Sequence, residues 1–131
     1  MDLRILEIAS HTENNKIIKN FTHKSKNKNP LCGDEMEISL IVKNGVVQDM
    51  GYQCKSCIYC QASVSLLSRK IKDKKIEEIE SFITSGENLF KNVKTSLEKH
   101  WNDFKEIFDK KNIARKECLL LPLSLIHISE P

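Results

Sequence analysis

Between residues 35 and 53 the chain alternates. Met36, Ile38, Leu40 and Val42 occupy every second position, the period of a strand with one buried face. Asn44-Gly45 follows, a pair suited to the two positive-φ positions of a type I′ turn, and residues 46–53 return as a second strand. A two-residue turn sets Val47 beside Val42 and puts Met50 and Tyr52 on the face of Ile41. Both faces are then partly apolar, so helices are expected to cover much of the sheet.

Elsewhere the spacing is helical. Residues 2–9 read as a short helix with Leu3, Leu6 and Ile5 inward, and 14–21 as a second, with Ile17, Ile18 and Phe21 behind an Asn14 cap. Residues 22–29 are polar and lysine-rich, a loop or irregular edge strand. A helix is expected from 57 or 58 to 72, where small Ala62, Ser63 and Ser65 let its first turns approach neighbouring backbone. Residues 73–84 carry Ile76, Ile79, Phe82 and Ile83, and Gly86 stands where a helix would stop. Leu89, Val93, Leu97, Trp101, Phe104 and Phe108 mark a stripe of one long helix or two shorter ones, read as core. Residues 110–117 form a charged connector. The predicted class is α+β: a small antiparallel sheet, its hairpin at about 35–53, packed against several helices.

Composition narrows the function classes. A chain of 131 residues is long enough for one core and too short for two comfortable ones. With 40% hydrophobic and 30% charged residues it suits a folded domain. The net charge of +3 is too even to argue for nucleic acid; the one basic cluster, His23 to Lys28, reads as solvated. The N-terminus carries Asp2, Arg4 and Glu7 where a signal peptide needs an apolar stretch, and no apolar run is long enough to span a membrane. A cytoplasmic location is expected. There the five cysteines would be reduced thiols, which point to metal or sulfur chemistry.

Three of those thiols, Cys54, Cys57 and Cys60, form C-x-x-C-x-x-C at the mouth of the expected helix, where the helix dipole favours a thiolate. The same spacing occurs in iron–sulfur ferredoxins, with Cys32 or Cys118 as candidates for a fourth ligand. Individually, Cys54 and Cys60 read equally well as small hydrophobes of a packed interior. Asp34 follows Cys32-Gly33; it reads as a turn residue or as a hard, exchangeable ligand beside a thiolate. No catalytic triad or glycine-rich phosphate loop is suggested.

Three separated motifs carry a resemblance. Asn29-Pro30-Leu31-Cys32-Gly33-Asp34, then Cys57 ahead of Ala62-Ser63-Val64-Ser65-Leu66-Leu67, then Arg115-Lys116-Glu117-Cys118-Leu119-Leu120-Leu121-Pro122 resemble the iron–sulfur cluster scaffold family of IscU, SufU and the NifU N-terminal domain. The resemblance implies Cys32, Cys57 and Cys118 as site cysteines and Asp34 as the accompanying carboxylate, with Cys54 and Cys60 as candidate accessory thiols. It implies a transient [2Fe–2S] cluster, iron, and zinc as alternative occupant. It also implies a cysteine desulfurase of SufS or IscS type as sulfur donor, Cys118 or Cys57 as sulfur acceptor, and apo iron–sulfur proteins as recipients. The implied role is a scaffold, not an enzyme, with a zinc-dependent sulfur relay as alternative. A stable electron-transfer module or a structural zinc domain are readings of other classes. The long stretch between Cys57 and Cys118 is like SufU. Ser56 stands where the family carries glycine, and Glu117 where IscU-like members carry histidine. The resemblance ends at Pro122; residues 123–131 (LSLIHISEP) read like translated sequencing adapter. The expected division is a domain over 1–122 and a non-native tail over 123–131.

Overall fold

The hairpin forms where alternation and turn chemistry place it. In the computed structural model, which describes residues 3–28, 33, 35–91 and 97–127, β2 (Glu35–Lys43) and β3 (Val46–Lys55) pair antiparallel across Asn44-Gly45. Both turn residues have positive φ, +54° and +75°, as a type I′ turn requires. The lysine-rich segment is β1 (His23–Lys28), which pairs with β2 to give a three-stranded sheet of order β1-β2-β3.

One local feature overturns the expected facing. Val42 opposes Val47, but Ile41 opposes Asp49, so Gln48 is an extra residue and the register shifts by one. Beyond that bulge Met50 faces Leu40, Tyr52 faces Ile38 and Cys54 faces Met36, not Ile41. The bulge collects Met36, Ile38, Leu40, Val47, Met50 and Tyr52 on a single buried face. The other face is covered in part by residues 11–22, which form turns and not the expected helix. There the Tyr52 N–H donates to the Asn14 carbonyl at 3.1 Å, and Ile18 packs over Gly51. Ile17 and Phe21 stay exposed.

Among the described residues, four α-helices cover the buried face and one another. In α1 (Leu3–Ala9) Ile5, Ile8 and Ala9 point inward, whereas Leu3 and Leu6, expected inside, are exposed. The central helix is α2 (Ile58–Lys70), buried continuously from Ala62 to Ser68. Its small hydroxyls make that possible. Ser63 Oγ donates to the Leu119 carbonyl at 2.6 Å. Ser65 Oγ serves the carbonyls of Ile8 and His11 at 3.2 and 2.5 Å, groups beyond the reach of α1's own ladder. Helix α3 (Ile76–Leu89) runs straight through Gly86. That glycine is there for close packing: a Cβ would come within 3.0 Å of Leu123 and Phe108.

The aromatic stripe is core, but not as long α-helix. It sits on two 3₁₀ segments, Lys99–Glu106 and Lys110–Arg115, with Val93 outside the described residues. Trp101 stacks on Phe82 at 4.3 Å between ring centroids, and Phe104 bridges Phe82 to Phe108. The chain closes with α4 (Lys116–His127), which carries Pro122 inside it. Leu123, Leu125 and Ile126 are buried, so the expected division after residue 122 falls within a packed helix. Among the described residues no helix is long and apolar enough to cross a membrane.

Candidate metal centre

Strand β3 ends at Lys55, and two residues later Cys57 becomes the N-cap of α2, with extended backbone at φ −69° and ψ 165°. A cap residue turns out of the strand before the first helical turn, which carries its side chain to the helix mouth. The half-buried Cys57 side chain makes no capping hydrogen bond; the turn is held by Gln61, whose backbone N–H donates to the Cys57 carbonyl at 3.0 Å. The Gln61 side chain adds a bond to the Ser56 carbonyl at 2.8 Å. Ser56 Oγ is buried and finds no partner among the described residues.

Cys118 lies in the first turn of α4 and is 3% exposed. Two contacts seat that turn against the start of α2. The Arg115 guanidinium stands 5.5 Å from the centre of the Tyr59 ring, and Ser63 holds the Leu119 carbonyl. The helix starts that bear Cys57 and Cys118 therefore lie side by side, across 61 residues of sequence.

The other two thiols of the cluster diverge. Cys54 is still on β3, half-buried and opposite Met36 on the sheet's packed face. Its neighbour Tyr52 is buried, and that burial, with the negative charge of Cys54, pushes the phenol above its ordinary 10.0. Cys60, one turn into α2, is fully enclosed in the core. Strand, cap and helix interior send three thiols in three directions. Among the described residues no three His, Cys, Asp or Glu side chains are grouped to hold a metal ion. In this arrangement Cys54, Cys57 and Cys60 are not gathered into one group.

Cys32 and Asp34 lie outside the described residues. Their described neighbours are informative. Gly33 has φ +74°, a left-handed conformation that glycine adopts without strain, and Glu35 opposes Lys55, two residues before Cys57. Strand β2 thus begins at the sheet end where Cys57 sits.

Two features escaped the sequence reading. The Arg115–Tyr59 contact needed the tertiary fold. The lysines of β1 were legible as period two, Lys24, Lys26 and Lys28, and a strand reading would have set them on one face.

The NifU-like N-terminal domain family matches residues 2–102. The chain is 34% identical over 85 residues to the iron–sulfur cluster assembly scaffold protein IscU of Thermotoga maritima, covering 65% of this chain and 60% of that protein. It is 31% identical over 72 residues to the zinc-dependent sulfurtransferase SufU of Bacillus subtilis, covering 53% and 49% respectively. These matches span about half to three-fifths of the relatives' lengths. Among solved structures, a protein described as an iron–sulfur cluster assembly scaffold for the SUF system of Fervidobacterium islandicum AW-1 superposes with a TM-score of 0.91 at 22% identity, covering 98% of this chain and 95% of that one. A NifU-like N-terminal protein from Brucella abortus superposes with a TM-score of 0.87 at 24% identity, covering 95% and 88%. At these identities the superpositions speak for the fold.

Proposed function

The chain belongs to the family of NifU-like N-terminal domains, and on that premise we propose that it is a scaffold for iron–sulfur cluster assembly. It would accept sulfur from a cysteine desulfurase of SufS or IscS type, hold a [2Fe–2S] cluster transiently as cargo, and release it to apo iron–sulfur proteins. The observation that carries this reading is the seating of the two helix starts that bear Cys57 and Cys118. The proposed ligands are Cys32, Asp34, Cys57 and Cys118. Three thiolates suit iron and sulfide, and one carboxylate gives a harder, more exchangeable position. Cys54 and Cys60 lie outside this set as accessory thiols.

The sulfur step balances without an external oxidant. A site thiolate, Cys118 or Cys57, attacks the outer sulfur of the donor's cysteine persulfide. The donor's S–S bond breaks, a new S–S bond forms on the scaffold, and the donor cysteine leaves as thiolate. Cys57 is half-buried at the helix mouth, part of its surface reachable from outside. Arg115, exposed above Tyr59 one turn before Cys118, brings a positive charge to a site that handles anionic sulfur. Such a role is carriage and not turnover, and five reduced thiols suit the cytoplasm.

A second reading is favoured by the similarity to a zinc-dependent sulfurtransferase. The same donor set, thiolates with one carboxylate, fits tetrahedral zinc, which when bound would keep its thiols deprotonated. On that reading the protein chiefly relays sulfur.

One experiment tests both. The protein is incubated anaerobically with desulfurase, cysteine and Fe²⁺, cluster absorbance is followed, and apo-ferredoxin is added. Cluster formation with transfer supports the scaffold; persulfide uptake with stoichiometric zinc and no cluster supports the relay; neither refutes both. Serine at Cys32, Cys57 or Cys118 should abolish metal binding and sulfur uptake, whereas serine at Cys54 or Cys60 should reduce them only partly. Equal damage from Cys54→Ser, Cys60→Ser and Cys57→Ser would overturn the ligand assignment.

A further inference from the structure

We propose that the outer face of the sheet, beside the thiols, is a docking surface for an acidic segment of the sulfur-donating desulfurase. This rests on the scaffold reading above and adds to it where the donor sits. The register arranges this face in rows: Lys26, Glu37 and Gln53 across the sheet, then Lys28, Glu35 and Lys55. Lys24 extends it along β1. A groove of about 440 Å³ opens at this end of the sheet, lined among others by Lys26, Glu35, Glu37, Gln53, Cys54 and Lys55.

Charge decides what fits the groove. Lys24 pairs with Glu37 at 2.8 Å and Lys28 with Glu35 at 3.7 Å, so both carboxylates are answered from within the face. Lys26 and Lys55, both exposed, have no ion pair among the described residues. Four lysines against two glutamates leave the face positive; the groove itself is lined by both glutamates, each paired to a lysine at its rim, and by the two spare cations Lys26 and Lys55. Lysines on β1 and β3, the two edge strands, would also keep those edges from pairing with other chains, but edge guarding does not require Lys26 and Lys55 to line one groove.

The complementary occupant is an acidic protein segment. A nucleic acid is a poor fit, since no aromatic side chain lines the groove for base stacking. Position selects the donor among acidic proteins. Cys54 and Lys55 in the groove wall lie within three residues of Cys57, and a persulfide must come into bonding contact with its acceptor. A donor held here is already at the right end of the sheet. Exposed complementary charges of this kind act mainly on association rate and salt dependence.

The test is affinity for a SufS-type cysteine desulfurase, by calorimetry, for the parent protein and for Lys26→Glu/Lys55→Glu. A control, Lys43→Glu/Lys99→Glu, makes the same change in net charge at exposed positions away from the groove. The groove variant is expected to bind roughly tenfold more weakly at low salt, with the difference shrinking as salt rises. Its zinc content, its melting temperature and its persulfide mass shift at saturating desulfurase should match the parent, since none of the changed residues is a proposed ligand. Binding within twofold of the parent, or an equal loss in the control, would overturn the proposal. So would a parent that binds a DNA duplex, or self-associates, in a way the same reversal abolishes, because the face would then have another occupant. If the parent takes up sulfur and the reversal changes nothing, the docking face alone is refuted. If the parent neither binds desulfurase nor takes up sulfur, the scaffold reading falls with it.

Discussion

Replacing Gly51 by alanine tests how residues 11–22 are held on the sheet. Gly51, in β3, pairs with Ser39 of β2, and a Cβ added there would stand 2.6 Å from the Lys16 carbonyl oxygen and 2.9 Å from Ile18 Cγ1. The first of these contacts is backbone, so no side-chain rotation relieves it. Overpacking of this kind costs about 1–3 kcal/mol. Lifting the segment also exposes part of Ile18, now 6% exposed, whose full burial contributes about 1.5–3 kcal/mol. Loss of glycine's freedom in the unfolded chain offsets this by about 0.5–1 kcal/mol. The net expectation is destabilisation by about 2 kcal/mol, or roughly 6–10 °C in melting temperature for a domain of this size. Urea unfolding with an unchanged slope measures it directly. Gly51→Ala/Ile18→Ala should fall short of the sum of the two single changes, because the clash and the lost burial share one side chain. A change below about 0.5 kcal/mol for Gly51→Ala would refute the packing argument.

Two further outcomes are expected. Tyr52 is held above its ordinary 10.0 by burial and by the negative charge of Cys54. Its contribution is therefore whole below about pH 10, where the unfolded tyrosine is still neutral, and is lost as pH climbs towards the folded value. Melting curves from pH 8 to 11 should show a gentler alkaline fall for Tyr52→Phe than for the parent; parallel curves would contradict this. Asp34→Ala should lengthen the life of a reconstituted cluster and slow its transfer to apo-ferredoxin, and faster loss would make Asp34 a supporting ligand.

The sequence by itself determined the elements whose signals are local. Asn44-Gly45 dictates its turn because few other residues tolerate positive φ at both positions. The α2 helix, the aromatic core residues and the three motifs that carry the family resemblance were all legible without coordinates of any kind. Local spacing misled wherever a distant partner outbid it. Residues 14–21 have helical periodicity, yet Tyr52 takes the Asn14 carbonyl and Gly51 admits the Lys16 backbone, so the segment lies along the sheet. Gly86 resembles a helix stop, but Phe108 and Leu123 need its missing side chain inside α3. The bulge at Gln48 leaves no mark in the alternation, and it alone decides which face Met50, Tyr52 and Cys54 share. At the candidate centre the same division holds. Spacing favoured Cys54, Cys57 and Cys60 together, while packing sends Cys60 into the core and brings the Cys118 helix to the mouth of α2 instead. Burial and long-range hydrogen bonds are satisfied across the whole chain, and only the folded chain records which residues satisfy them.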